Sequence, residues 1–361
     1  MKKINSISIN GRFLEQNITG VQRYALEIIK SLDSLIKNES DLPPVKLLIP
    51  QSVSTVPQLQ NIEILKIGKH SGILWEQLDF PLYLKKNKSL PVNLCNSTPL
   101  LYPKGITCIH DITYKVNPDF ITTKHLFFAK IYHLLQYKVA LKKSLHIFTV
   151  SEFSKKEIMK VYKVDENKIS VSYNGWQHFS VDFPSSPSFE QLYPTLNSGS
   201  YFFSLATSAK NKNFPWIVKA AQNNPKSTFV VAGKIDLKKL GNNIGDTLPE
   251  NLTVLGYIPD LNARLLMKNC RAFIFPSLYE GFGIPPLEAL ALGACVICSH
   301  VSCLPEIFQD CVHYIDPFAP PPNFNELLQE KVSSPEKILN IYQWDKSAQK
   351  YLDSIKKILK V

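Results

Sequence analysis

Two carboxylates and a glycine loop in the last third of the chain have the residue types and spacing for chemistry. Glu280 opens the loop, Gly-Phe-Gly-Ile-Pro-Pro follows at 281–286, and Glu288 stands in the helical pattern behind it. Backbone N–H groups at a helix start attract anions such as phosphate. A carboxylate accepts several hydrogen bonds and suits the paired hydroxyls of a ribose or sugar ring. The combination indicates a nucleotide-sugar site, although two isolated glutamates are also typical of a helix cap and a solvated side chain.

The elements around this loop form a strand, a turn and a helix. An apolar run at 272–275 predicts a buried strand that Pro276 ends. The two prolines then occupy a first helical turn, and 287–292 predicts a helix that ends at Gly293.

Two other units of the same kind carry possible phosphate-binding turns. In the first, a strand at 7–9 precedes Gly20 and a helical pattern. In the second, the strand 201–205 is followed by Thr207, Lys212 and another helix. Such repeats are typical of doubly wound α/β domains. Taken alone, a glycine or lysine in these turns is equally typical of a helix cap or a solvated loop.

A polar pair, His110 and Asp111, follows the last of four strand-like runs in the first half. Open α/β sheets bind ligands at the carboxyl ends of their strands, so the pair is a candidate site. A purely structural pair is the alternative. The four runs lie at 45–49, 62–67, 92–95 and 106–109.

The string from Glu280 to Glu288 resembles the Glu-x7-Glu signature of the retaining glycosyltransferases of family 4. The resemblance extends over most of the chain and is sparse only between residues 40 and 105. It implies an α/β protein of the GT-B fold, with two doubly wound, Rossmann-like domains that face each other across a cleft. The expected limits are an acceptor-side domain at 1–180, a Pro- and Ser-rich linker at 181–199, a nucleotide-sugar-binding domain at 200–335 and a C-terminal helix at 336–361 that packs back on the first domain.

The resemblance also implies roles for individual residues. His110, Lys212 and Glu280 are expected to be catalytic: Lys212 on the donor diphosphate, and the other two at the transferred sugar. Glu288 is expected to hold the ribose. The other expected donor-binding residues are Gly20, Thr207, Ile258, Gly281, Phe282, Gly283 and Ile284.

One position departs from the family pattern. Where the family commonly has arginine, this chain has Asn211. Lys212 is therefore expected to bind the donor diphosphate without a second basic side chain, unless Lys210 substitutes for the arginine.

The implied activity is transfer of a hexose, mannose or rhamnose, from a nucleoside diphosphate sugar to a saccharide or polyprenyl-diphosphate-linked acceptor in bacterial surface polysaccharide synthesis. The chain has no Asp-x-Asp, so neither a metal nor another cofactor is expected. One alternative is a non-catalytic sugar-nucleotide-binding partner subunit, although such a subunit would be expected to have lost a site residue. Another is a GT-B phosphorylase or an epimerase, although binding inorganic phosphate would need more arginines.

The net charge of +11 is concentrated in the first half of the 361-residue chain. Residues 1–180 hold 24 Lys and Arg against 14 Asp and Glu, whereas residues 181–361 hold 17 against 16. With no nucleic-acid-binding motif, the excess favours a diphosphate acceptor or an anionic membrane surface over nucleic acid. The lysines expected at a membrane are Lys85, Lys86, Lys88, Lys138, Lys142 and Lys143.

A long helix is predicted at 122–143, and the residues predicted to face inward are Leu126, Phe127, Ile131, Leu134, Leu135, Val139 and Leu141. The chain has no signal-peptide core and no apolar run of the roughly 18 residues that cross a bilayer, so the expected location is cytoplasmic, with contact to the inner membrane face as an option.

Four cysteines near the C-terminal end invite a zinc interpretation. A strand at 294–298 would point Cys295 and Cys298 away from a common centre. Free, mostly buried thiols are therefore predicted for Cys295, Cys298, Cys303 and Cys311.

Overall fold

The computed structural model of the protein describes residues 4–120, 124–179, 187–241 and 247–360. The chain divides into two compact units. Unit 1 comprises residues 1–174 and 342–361, and unit 2 comprises residues 175–341.

The described part of unit 1 contains one seven-stranded parallel sheet in the order β3-β2-β1-β4-β5-β6-β7. Most of its strands are buried runs, as expected for a parallel sheet covered by helices on both faces, whereas the edge strand β3 is exposed or half-buried along its length. The order reverses between β1 and β4, which are neighbours. The strands are β1 (Ser6–Asn10), β2 (Val45–Ile49), β3 (Glu63–Lys66), β4 (Ser89–Asn93), β5 (Ile106–Cys108), β6 (His146–Thr149) and β7 (Ile169–Val171).

The described part of unit 2 contains a second parallel sheet, of six strands in the order β10-β9-β8-β11-β12-β13. Here the order reverses between β8 and β11. The predicted pair of doubly wound α/β domains is confirmed. The strands are β8 (Tyr201–Leu205), β9 (Thr228–Ala232), β10 (Leu252–Val254), β11 (Ala272–Phe275), β12 (Val296–Ser299) and β13 (His313–Ile315).

Helices connect the strands of both sheets. A π-helical turn, Trp75–Asp79, joins α2 and α3 into one helical run, and short 3₁₀ turns include Gln177–Phe179 and Lys210–Lys212. The α-helices are α1 (Gly20–Leu35), α2 (Gly72–Leu74), α3 (Phe80–Asn87), α4 (Thr113–Val116), α5 (Lys124–Lys143), α6 (Glu152–Tyr162), α7 (Phe189–Leu192), α8 (Phe214–Asn223), α9 (Leu237–Leu240), α10 (Asp260–Asn269), α11 (Ile284–Ala291), α12 (Leu304–Phe308), α13 (Phe324–Leu327), α14 (Glu336–Ile341) and α15 (Trp344–Leu359).

The C-terminal stretch forms two helices rather than the single predicted one. α14 belongs to unit 2, where the Leu339 carbonyl accepts a hydrogen bond from the Trp176 indole at 2.9 Å. α15 is amphipathic and packs in unit 1, where Tyr351 contacts Tyr24 on α1 and Phe148 on β6. The expected return of the C-terminal helix to the first domain is therefore confirmed for α15.

Parts of the predicted linker and of the predicted long helix cannot be compared with the structure. Residues 180–186 of the linker region and the predicted start of the long helix at Thr122 lie outside the described residues. The orientation predicted for α5 is wrong for Ile131 and Leu135, which are exposed, whereas Leu141 is buried as predicted. Polar Gln136 points inward instead and accepts a hydrogen bond from the Thr98 N–H at 2.8 Å. Within the described residues, no helix is long and apolar enough to cross a membrane.

Candidate functional site

Two loops of unit 2 lie at the point where the strand order reverses. One follows β8 and contains Thr207 to Asn213, and the other follows β11 and contains Pro276 to Gly283. Because β8 and β11 are adjacent and parallel, both loops leave the same edge of the sheet. Open α/β sheets bind their ligands in the crevice at such an edge.

Asparagines on either side of Lys212 attach the first loop to the second. The Asn211 carbonyl accepts a hydrogen bond from the Leu278 N–H at 2.8 Å, and the Asn213 amide donates to the Pro276 carbonyl at 3.2 Å. The Asn211 side-chain amide also donates to the Tyr279 carbonyl at 3.5 Å, so the residue that departs from the resembled pattern connects the two loops. Lys210 is exposed and makes no ion pair within the described part of the chain.

The structure brings together two predicted catalytic residues, Lys212 and Glu280. The Lys212 ammonium donates to Glu280 Oε1 at 2.6 Å and lies 5.3 Å from the centre of the Phe275 ring. The two side chains retain 27% and 15% of their exposure, so solvent and ligands still reach the pair.

The backbone of Glu280 is also held on both sides. Its N–H donates to the Ser302 hydroxyl at 3.2 Å, and its carbonyl accepts from the Cys303 thiol at 3.2 Å. Burial, followed by the Glu280 charge, raises the pKa of Cys303 well above its ordinary value. The thiol thus keeps the proton that it donates, and Glu280 has a fixed position.

Helix α11 begins immediately after the glycine loop. Gly283 precedes it with φ +96°, and a Cβ there would lie 2.8 Å from Leu304 Cδ2. This position therefore needs glycine. Pro285 and Pro286 stand in the first turn as predicted, but they lack N–H groups. Of the first three residues of α11, only Ile284 therefore has a backbone N–H.

Glu288 lies in the second turn of α11, and its partner His178 was missed by the sequence analysis. His178 Nε2 lies 2.7 Å from Glu288 Oε1, and their side chains are only 3% and 9% exposed. Because a carboxylate only accepts hydrogen bonds, Nε2 carries the proton. Nothing in the residue type or local pattern of His178 indicated this contact.

The remaining predicted residues of unit 2 differ in exposure and position. Thr207 is exposed, and its hydroxyl accepts from the Ala209 N–H at 3.2 Å. Ile258 is half-buried in the loop after β10, two strands away from β8. Phe282 is buried within the glycine loop.

In unit 1, His110 follows β5 and is buried by specific contacts. Its Nε2 donates to the Leu94 carbonyl at 2.9 Å, and its ring packs edge-on against Tyr24 at 4.7 Å. Burial lowers the pKa of His110, but the nearby Cys108 and the Leu94 carbonyl outweigh burial and raise it overall. Gly20 is exposed as the first residue of α1.

No metal centre is assembled by the described residues, among which no three His, Cys, Asp or Glu side chains form a group that could hold an ion. Cys295, Cys298, Cys303 and Cys311 form no disulfide, and all but the half-buried Cys295 are buried.

Two parallel α/β units and the return of the C-terminal helix to unit 1 define a protein of the GT-B class. Among solved structures, sucrose-phosphate synthase of Thermosynechococcus elongatus has a TM-score of 0.71 at 13% identity, with 99% of each chain covered. HepE of Anabaena, solved in complex with UDP-glucose, has a TM-score of 0.64 at 14% identity, with 98% of this chain and 99% of the other covered.

Sequence comparisons agree with this class. Residues 195–341 match the family model of the glycosyl transferases group 1. The O-antigen chain mannosyltransferase RfbU of Salmonella typhimurium is 27% identical, with 86% of each chain covered. The O-antigen chain mannosyltransferase B of Escherichia coli is 28% identical, with 83% of this chain and 84% of the other covered. The chain is thus a glycosyltransferase with the GT-B fold, as the sequence predicted.

Proposed function

We propose that this glycosyltransferase moves mannose from a nucleoside diphosphate sugar to a saccharide or polyprenyl-diphosphate-linked acceptor during synthesis of a bacterial surface polysaccharide. The names of the two mannosyltransferase relatives favour mannose over rhamnose. The relative solved with UDP-glucose supports a nucleotide-sugar donor. Retention at the anomeric carbon, which the Glu-x7-Glu string implies, is part of the proposal.

The observation that carries this proposal is the Lys212–Glu280 pair at the switch point of unit 2. A cation and a carboxylate 2.6 Å apart serve the two ends of a donor, whose diphosphate is anionic and whose sugar carries hydroxyls. Glu288, on the adjoining helix, adds a carboxylate suited to the ribose hydroxyls.

Departure of the diphosphate is the difficult event, because negative charge grows on the leaving group while positive charge grows on the sugar ring. The proposed role of Lys212 and the amides of 281–284 is to stabilise the leaving phosphates. Glu280 is proposed to bind the sugar hydroxyls and to offset the charge on the ring. These groups are held in advance by the contacts of Asn211, Ser302 and Cys303.

When the donor binds, Lys212 and Glu280 would each replace the other with a group of the donor, so neither charge would be left without a partner. Before binding, Lys212 and Glu280 neutralise each other. The incoming diphosphate supplies a new acceptor for Lys212, and the sugar supplies hydroxyl donors for Glu280. Since both side chains are partly exposed, the exchange need not uncover a fully buried charge.

Unit 1 is proposed to serve the acceptor. The family resemblance assigns His110 to the transferred sugar and Gly20 to the donor phosphates. A lipid-linked acceptor would be met at the cytoplasmic face of the membrane, where the excess positive charge of residues 1–180 complements anionic lipids.

A thermal-shift screen with GDP-mannose, dTDP-rhamnose and UDP-glucose tests the donor. At 100 times its dissociation constant, the true donor should add about 2.7 kcal/mol of stability. Transfer assays with the selected donor, followed by NMR of the product anomer, then test retention. Stabilisation by dTDP-rhamnose alone would refute mannose, and an inverted product would refute retention.

A further inference from the structure

A row of leucines lies exposed on the outside of unit 1. The helical run from α2 to α3 carries Leu74, Leu78 and Leu82 at intervals of four residues, and all three are exposed. Helical residues four apart lie on the same side of the helix. Single exposed leucines are ordinary, whereas a contiguous row marks a contact surface.

The opposite side of this helical run is firmly anchored. Trp75 and Phe80 are fully buried with stacked rings 5.3 Å apart. The buried Glu76 carboxylate accepts hydrogen bonds from Asn10 at 2.8 Å and from Ser97 at 2.6 Å. The leucines therefore project from a well-packed element. Asn10 ends β1, so the run is also tied to the switch point of unit 1.

Helix α5 extends this apolar surface. Its Tyr132 hydroxyl donates to Glu76 at 3.0 Å and accepts from Gln77 at 3.3 Å, which places α5 beside the leucine run. The neighbouring Ile131 and Leu135 are exposed and again four residues apart.

The loop before β5 contributes one more exposed leucine. The N–H of Leu100 donates to the Gln77 side chain at 2.9 Å, which places Leu101 near the same run. We define the apolar patch as six side chains, each between 41% and 78% exposed: Leu74, Leu78, Leu82, Leu101, Ile131 and Leu135.

The exposed charges on both helices are positive. Lys85 and Lys86 follow the leucines on α3, and Lys138 and Lys142 follow Ile131 and Leu135 on α5. Helix α5 contains no Asp or Glu in its sequence.

The acidic residues of the leucine run are turned inward. Glu76 is buried, and the Asp79 carboxylate accepts hydrogen bonds from the His70 and Lys69 N–H groups. An apolar face followed by lysines is the pattern of an element that lies in a membrane interface.

We propose that the apolar patch docks unit 1 on an anionic lipid bilayer, with its leucines in the boundary between headgroups and acyl chains and its lysines on the headgroups. This inference deepens the proposed function, on which it rests for the lipid-linked acceptor. It differs from contact by lysines alone, because apolar burial persists at salt concentrations that screen surface charges.

Co-sedimentation with vesicles of phosphatidylglycerol and phosphatidylethanolamine tests the docking, with phosphatidylcholine vesicles for comparison. Wild type should bind the anionic vesicles and retain part of that binding at high salt. Replacing Leu74, Leu78 and Leu82 together with serine should weaken partitioning by about tenfold or more at any salt concentration. A matched control replaces three exposed apolar residues of unit 2, Leu237, Phe318 and Val332, with serine and should bind as wild type does.

A second variant measures the electrostatic contribution to vesicle binding separately from the apolar contribution. Changing Lys138, Lys142 and Lys143 to glutamine should weaken binding at low salt by about fivefold per lysine and have little effect at high salt. Failure of wild type to bind, or equal binding by the leucine variant, would overturn the proposal. A wild-type dimer that the leucine variant dissociates, without vesicle binding, would assign the patch to a second copy and also overturn it.

The affinity for nucleotide sugar, measured in solution on every variant, separates this inference from the proposed function. It should be unchanged by the leucine replacements, which also verifies folding. Vesicle binding without any nucleotide-sugar binding would refute the proposed function and support the docking surface. Nucleotide-sugar binding without vesicle binding would refute the docking surface alone.

Discussion

His178→Ala removes the hydrogen bond that holds the proposed ribose-binding carboxylate. His178 comes from the 3₁₀ turn after β7, and Glu288 comes from α11. With Nε2 and Oε1 2.7 Å apart and little solvent access, the contact fixes one oxygen of Glu288, and the proposed ribose contact falls to the other.

The magnitude follows from burial and charge. A hydrogen bond to a charged group contributes about 1.5–3 kcal/mol, so the apparent free energy of unfolding should fall by that amount. In the variant, the Glu288 carboxylate has lost its donor and no longer has a single fixed position. We therefore expect affinity for the free nucleoside diphosphate to fall by about tenfold, equivalent to about 1.4 kcal/mol.

Isothermal titration calorimetry with the nucleoside diphosphate and urea unfolding measure the two effects. His178→Gln is the conservative control, because its amide is another hydrogen-bond donor, and it should recover part of the affinity. In a Glu288→Gln background, removing the histidine should cost less, because a neutral amide tolerates loss of a donor better than a carboxylate.

Unchanged nucleotide affinity in His178→Ala would refute the positioning of Glu288 by this histidine. Additive losses in His178→Ala, Glu288→Gln and the double variant would show that the two side chains act independently. If His178→Ala lost stability but kept full affinity for the nucleoside diphosphate, the contact between His178 and Glu288 would have only a structural role.

The other predictions concern the glycine loop and its neighbours. Lys212→Ala should remove about 2.7–4 kcal/mol of transition-state stabilisation, which lowers kcat/KM mainly through kcat. Near-normal turnover would contradict the proposed role of Lys212 at the leaving phosphates. Glu288→Gln should weaken nucleoside diphosphate binding, whereas Glu280→Gln should mainly lower kcat; equal weakening in calorimetry would show that the assignment is wrong. Gly283→Ala should lower the melting temperature, because φ is +96° and its Cβ would meet Leu304, and an unchanged melting curve would contradict this. Transfer should continue in EDTA, and loss restored by magnesium or manganese would contradict the expected metal independence.

The sequence by itself was sufficient to locate several strands and the candidate site residues that follow them. The predicted runs 45–49, 201–205 and 272–275 coincide with β2, β8 and β11. Strands buried on both faces are largely apolar, so these bounds are visible without a structure. The glycine loop and its prolines likewise marked the start of α11, because their backbone restrictions are local.

Tertiary structure decided which side chains meet. Lys212 and Glu280 are 68 residues apart in the chain, and His178 and Glu288 are 110 apart. The first pair was expected to share a site because the family resemblance implied a role for Lys212 at the donor diphosphate and for Glu280 at the transferred sugar. The second was missed because local sequence carries no signal for a contact that depends on how a connecting turn packs.

The inner face predicted for α5 from the sequence was wrong at Ile131 and Leu135. Its apolar residues occur all around the helix, so their spacing did not distinguish the buried side from the exposed one. The fold selected Tyr137, Ala140 and Leu141 for the core and left Ile131 and Leu135 outside. Periodicity can locate a helix, but the neighbouring elements decide which of several apolar faces is buried in the core.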